Sequence, residues 1–160
     1  MAQADRYIKA CMGENVDCTP VWMMRQAGRY LEEYRALRVK HSFIEACKTP
    51  ELVVEITLQP IRRFEVDAAI IFADILLPLE NMGIDFEFTK GDGPQINTTV
   101  RTRRDVEKMR DINPMEEMAY LMNAIRMVKR ELNGKVPLIG FSGAPFTLAS
   151  YITEGGGSRN

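Results

Sequence analysis

The run Ala68-Ala69-Ile70-Ile71-Phe72-Ala73, closed by Asp74, constrains the fold of this chain more than any other stretch. An unbroken apolar run of this kind has no solvent-facing side, so it predicts a strand covered on both faces, as in a parallel sheet. Residues 20–24 (PVWMM) predict a second buried strand, and residues 136–141 (VPLIGF) a third.

The segments between them read as helices and a hairpin. Residues 29–47 mix charge with Leu31, Tyr34 and Leu37 and predict a helix. Thr49-Pro50-Glu51 places a cap before a proline at the first helical position, opening a helix to about Phe64. Pro60 predicts a kink or a restart within it. Residues 84–100 alternate through Ile84, Phe86 and Phe88 and turn at Lys90-Gly91-Asp92-Gly93, which predicts a hairpin. Thr102–Arg110 predicts a short helix, and the Arg101, Arg103, Arg104 cluster there reads as a solvated face beside Asp105 and Glu107. Asn113-Pro114-Met115-Glu116 starts another helix, with Met118, Met122, Ile125, Val128 and Leu132 on one face and Asn133-Gly134 at its end. Residues 140–157 (GFSGAPFTLASYITEGGG) read as a backbone-shaped loop that a ligand can approach, closed by a turn over Gly155–Asn160.

Strand, helices, strand, hairpin, helix, strand is an α/β order with a parallel sheet. Three strands at this spacing suit the N-terminal half of a (β/α)8 barrel, a fold of typically about 250 residues. Residues 1–160 are therefore expected to form the N-terminal part of a single barrel domain truncated at its C-terminus, with strand edges and apolar faces left open.

Composition narrows the partners. The net charge of −1 gives no global field favouring nucleic acid or an anionic membrane, so anion recognition must be local. No run reaches the roughly 18 apolar residues of a membrane span, and the N-terminus lacks a signal-peptide core. Cys11, Cys18 and Cys47 form no CxxC pair, which fits reduced thiols in the cytoplasm. His41 has no Cys or carboxylate at ligand spacing, so no metal site is expected.

Three places can carry chemistry. Arg25 and Arg29 follow the first predicted strand around Gln26-Ala27-Gly28, and strand ends of a barrel carry its active site. Guanidinium groups present a rigid fork of donors suited to carboxylate or phosphate, and Gly28 lets backbone approach a ligand. The competing reading pairs both arginines with Glu32 and Glu33 on a helix surface. Asp74, at the end of a buried run, is either an acceptor for substrate N–H groups and a stabiliser of positive charge, or a cap on the next turn or a salt-bridge partner of a barrel neighbour. Tyr151 is a phenol at the pocket rim or a core residue. Ser142 lies in Gly140-Phe141-Ser142-Gly143-Ala144, which lacks the final glycine of a nucleophile elbow, and reads as a turn residue.

The segments PVWMMRQAGRYLEEYR, TPELVVEITLQPIRRFEVDAAIIFADIL and GFSGAPFTLASYITEGGGS resemble the uroporphyrinogen decarboxylase family from about Asp5 to the last residue. Glu32, Ala73 and Phe146 stand where that family usually has proline, serine and tryptophan. The resemblance implies a homodimeric (β/α)8 barrel that removes CO2 from the four acetate side chains of uroporphyrinogen III, giving coproporphyrinogen III without a cofactor. It implies substrate contacts at Arg25, Gln26, Ala27, Gly28, Arg29, Asp74 and Tyr151, with Asp74, Arg25 and Tyr151 as the catalytic set. A corrinoid-linked methyltransferase of the same barrel superfamily, and a truncated binding or dimerisation module, are the alternatives.

Overall fold

The computed structural model describes residues 3–89 and 93–156. In chain order these form α1 (Gln3–Cys11), α2 (Glu32–Lys40), α3 (Phe43–Lys48), α4 (Pro50–Arg63), β1 (Ala69–Ile70), α5 (Leu77–Asn81), β2 (Phe86–Thr89), β3 (Gly93–Ile96), α6 (Arg103–Val106), α7 (Pro114–Glu117), α8 (Ala119–Leu132), β4 (Leu138–Ile139) and α9 (Pro145–Glu154). They fall into two units, one from residues 1–73 and 120–141, the other from residues 74–119 and 142–160.

In the first unit the long apolar run behaves as expected. Ala68 to Ile71 are buried, and β1 pairs in parallel with β4, Ala69 opposite Leu138 and Ile70 opposite Ile139. The pairing is shorter than the run because the Phe72 N–H leaves the sheet and donates to the Thr57 hydroxyl on α4 (3.0 Å). Val53 and Leu58 of α4 and Ala124, Val128 and Leu132 of α8 pack with Ala69 and Ile71 in one cluster. Asn133 (φ 44°) and Gly134 (φ 74°) then reverse the chain into β4, the left-handed turn that ends helices. Pro60 lies in the last turn of α4, which runs on to Arg63 without restarting. The predicted helix over 29–47 is instead two, because Ser42 and Glu45 form a capping box that starts α3 afresh.

The strand expected at residues 20–24 does not form. Val21 to Met24 are exposed, and the chain turns at Met24-Arg25. The reason is the nature of the neighbour. Asp67 donates its N–H to the Val21 carbonyl (2.7 Å), and its carboxylate accepts from the Val21 N–H (2.7 Å). A side chain has taken the place of a ladder carbonyl, and nothing extends the pairing. β4 is also less covered than expected. Leu138 and Ile139 are half-buried, and a groove of about 460 Å³ runs along Val136–Gly140, floored by Ile71, Ile125 and Leu132.

In the second unit, β2 and β3 pair antiparallel, Phe86 opposite Ile96 through Thr89 opposite Gly93. The hairpin is as predicted, although its turn at Lys90, Gly91 and Asp92 lies outside the described residues. Leu76, Leu79, Ile84, Ile96 and Val100 form the core. Thr102 and Asp105 form a capping box at α6, which is shorter than the predicted 102–110. The helix predicted from Asn113 breaks at Met118 (φ −113°, ψ 31°), giving α7 and α8.

Most of the expected loop at 140–157 is a helix. Pro145 occupies its first turn and Gly155 (φ 86°) ends it, the proline-first, glycine-last arrangement. Leu148, Tyr151 and Ile152 pack on the core, and the Val100 N–H donates to the Ile152 carbonyl (2.9 Å). The flanking glycines suggested a loop, but the apolar residues between them satisfy a helix face. The closing turn beyond Gly156 lies outside the described residues.

Candidate active site

The Arg25–Arg29 segment is an irregular loop of the first unit, and its residues divide by role. Gln26 is 2% exposed, and Ala27 packs against the cluster of Leu31, Tyr34, Ala46 and Ile56. Arg25 and Arg29 are exposed. Gln26 is held by its own side chain. Its Nε2 donates to the Ala68 carbonyl (2.9 Å) and its Oε1 accepts from the Met23 N–H (3.2 Å). The Tyr30 hydroxyl donates to the Gln26 carbonyl, and Arg35 donates to the carbonyls of Arg29 (2.8 Å) and Tyr30 (3.1 Å).

The competing reading of the arginines is not realised. Glu33 faces Arg63 (3.5 Å), and among the described residues neither Arg25 nor Arg29 has an ion pair. Gly28 is not strained, and a Cβ there would meet the Tyr30 ring at 3.5 Å, an ordinary contact. Nothing within the described residues requires a glycine at this position.

Asp74 and Tyr151 belong to the second unit. Asp74 Oδ1 accepts from the Leu76 N–H (2.9 Å), so the turn-capping reading holds for that oxygen. Oδ2 has no hydrogen bond among the described residues. Burial raises the Asp74 carboxyl above its ordinary range, and the bond from Leu76 opposes that in part. The turn after Asp74 is braced from α9. A Cβ on Gly143 would lie 2.9 Å from Leu148 Cδ2 and 3.1 Å from Ile75 Cβ, so only glycine fits without displacement. The Tyr151 ring packs against the Leu76–Val100 core.

Sequence reasoning missed Asp67 and Arg6. Asp67 is 3% exposed and takes the Arg6 guanidinium (2.6 Å). Arg6 also bonds Asp17 (2.8 Å) and thereby holds the Asp17 carboxyl well below the usual carboxylate range. The available signal was an aspartate directly before an apolar run, a charge that burial forces to find a partner. His41 bonds Glu45 (2.7 Å), and the described residues contain no group of three metal-ligating side chains. No helix among them is long and apolar enough to cross a membrane.

With this geometry in view, comparison with known proteins decides the family. A sequence model of the family described as "Uroporphyrinogen decarboxylase (URO-D)" matches residues 2–160. The chain belongs to the uroporphyrinogen decarboxylase family. The uroporphyrinogen decarboxylase of Carboxydothermus hydrogenoformans is 64% identical over 156 residues, covering 98% of this chain and 45% of that protein. That of Sorangium cellulosum is 58% identical over 156 residues, covering 98% of this chain and 44% of that protein. The chain thus spans under half the length of these decarboxylases. Among solved structures, a methyltransferase from Methanosarcina mazei matches with a TM-score of 0.75 at 20% identity, covering 96% of this chain and 45% of that one. At that identity the likeness speaks for an α/β fold and not for a shared activity.

Proposed function

We propose that residues 1–160 supply roughly the N-terminal half of a single (β/α)8 barrel that decarboxylates uroporphyrinogen III to coproporphyrinogen III. The family match carries the reading, together with one structural observation: two exposed guanidinium groups, without carboxylate partners among the described residues, stand on a loop that the fold pins in place. A tetrapyrrole fringed by eight carboxylates is the anionic ligand such groups suit. The exposed Val21–Met24 segment and the open side of β4 support the barrel, since both are apolar surfaces that further strands would cover.

In this reading Arg25 and Arg29 bind substrate carboxylates, Gly28 leaves room for the ring, and the Tyr151 phenol contacts the substrate. Asp74 Oδ2 accepts from pyrrole N–H groups. Protonating a pyrrole carbon creates a cation that takes up the electron pair left by departing CO2, so the substrate is its own electron sink. Burial penalises the Asp74 charge before that cation exists. Formation of the cation relieves the penalty, so the transition state gains more than the ground state. Arginine is a poor general acid at neutral pH, which places Arg25 in carboxylate binding first. The enzyme so formed is a homodimer in the cytoplasm, as the family resemblance implies.

The test joins this chain to the C-terminal portion of the Carboxydothermus relative and follows uroporphyrinogen by chromatography. Conversion to coproporphyrinogen is expected, with Asp74→Asn lowering kcat by about 10²–10³ and KM little changed. A folded, completed protein that leaves uroporphyrinogen intact would overturn the reading. The methyltransferase alternative has only the 20% likeness behind it.

A further inference from the structure

We infer that Gln26 is a positioning residue, acting on the ligand through Arg25 and Arg29 and not by contact. The inference rests on the decarboxylase reading for what the arginines bind, and on this structure for how they are held. Gln26 stands between two exposed arginines yet is itself 2% exposed. Every polar group it has is in use. Its N–H donates to the Met23 carbonyl (3.0 Å), while its Oε1 accepts from the Met23 N–H (3.2 Å). Side chain and backbone together thus exchange a pair of bonds with Met23, as two facing strand residues do. Its Nε2 reaches Ala68 (2.9 Å), the residue before β1, and its carbonyl is held by the Tyr30 hydroxyl.

The arrangement explains how an irregular loop can present two charges in a fixed geometry. The segment has no ladder, so its shape rests on one backbone bond and two side-chain bonds to residues 67 and 68. The Asp67 bonds fix Val21, and the Gln26 bond fixes the residue next to Arg25. An amide is the group this place needs, because it must donate to one carbonyl and accept from one N–H at the same time. A carboxylate at the same position would face the Ala68 carbonyl with an acceptor. A direct substrate contact would need the amide to leave the Ala68 carbonyl unpaired in the interior, at the cost of desolvation.

Two measurements test the inference, one of which needs no activity. In the 160-residue chain, trypsin cleavage of the Arg29–Tyr30 bond reports how firmly the loop is held, with cleavage after Arg130 on α8 as the internal control. Gln26→Met and the isosteric Gln26→Glu are each expected to speed cleavage at Arg29 about tenfold relative to Arg130, the scale of one or two lost hydrogen bonds. Unchanged relative cleavage in both variants would overturn the pin. In the completed enzyme, Gln26→Met is measured with and without the joint substitution Arg25→Ala and Arg29→Ala. A positioning role predicts a KM raised about tenfold when both arginines are present and little further rise when both are absent, a non-additive set. Equal rises in both backgrounds would show Gln26 touching substrate itself. An unmoved KM with faster cleavage would show a loop pin without consequence for the ligand, and would equally refute the inference. If the unmutated completed enzyme fails to decarboxylate, the functional reading falls while the cleavage result still decides the pin.

Discussion

Two apolar runs, Val21–Met24 and Ala68–Ile71, have similar side chains and opposite fates. The second is buried in the sheet, while in the first Met24 remains 67% exposed. Their backbones explain the difference. Ala69 and Ile70 pair with β4, and Ala69 and Ile71 are packed by α4 and α8. Among the described residues Val21 is hydrogen-bonded by Asp67, whose backbone and carboxylate both hold it. Apolar composition therefore announces a surface that can be buried, and the backbone partner determines whether it is. The irregular run also leads into the two arginines, so the less regular region carries the candidate anion-binding groups, while Asp74 closes the buried run.

The widest separation between the two runs should come from a buried charge. Ala69→Asp is expected to cost on the order of 4 kcal/mol or more, because the carboxylate has no partner in the core. Met23→Asp, on the exposed run, should stay within about 0.5 kcal/mol. Urea melts followed by circular dichroism measure both, and equal losses would mean that residues 20–24 are packed as tightly as β1.

Two glycines sharpen the same contrast between fold and function. Gly143→Ala should cost about 1–3 kcal/mol, since its Cβ would meet Leu148 and Ile75 at 3.1 Å or less. Gly28→Ala has only ordinary contacts to make and should leave Tm almost unchanged while raising KM in the completed enzyme. A large Tm loss at Gly28 would make that glycine a requirement of the fold.

The smallest expected effect concerns Asp74. Burial raises its pKa in the folded state, so the folded form favours the protonated carboxyl. The stability contribution is full below the ordinary aspartate range near 4 and is lost as pH rises through the raised value. Asp74→Asn should therefore raise Tm slightly at pH 7, and the gain should vanish as pH falls toward 4. A gain independent of pH would show that ionisation of Asp74 is not its source.

Much of the fold was legible where a local signal and its tertiary partner agree. The Ala68–Ala73 run, the Asn133-Gly134 reversal, proline at the start of α4 and the β2–β3 alternation each correspond to the observed element. The sequence misled where a side chain replaced a backbone partner, as Asp67 does for Val21. It also misled at 145–154, where flanking glycines outweighed a modest helical pattern. The arginines and Asp74 were legible as charges at the ends of apolar runs. The part of Gln26 was not, because an amide carries no charge to betray its burial, and its partner Ala68 lies 42 residues away.

The central claim is that the pinned loop presents Arg25 and Arg29 to a carboxylate-rich ligand. The most direct test is the KM for uroporphyrinogen of the completed enzyme, comparing the unmutated protein with Arg25→Ala, Arg29→Ala and the double variant at low and moderate salt. Each single variant is expected to raise KM by about tenfold or more, with kcat reduced less at Arg29 than at Arg25, and the salt dependence should weaken as arginines are removed. An unaltered KM in the double variant, with the same salt dependence as the unmutated enzyme, would contradict the account.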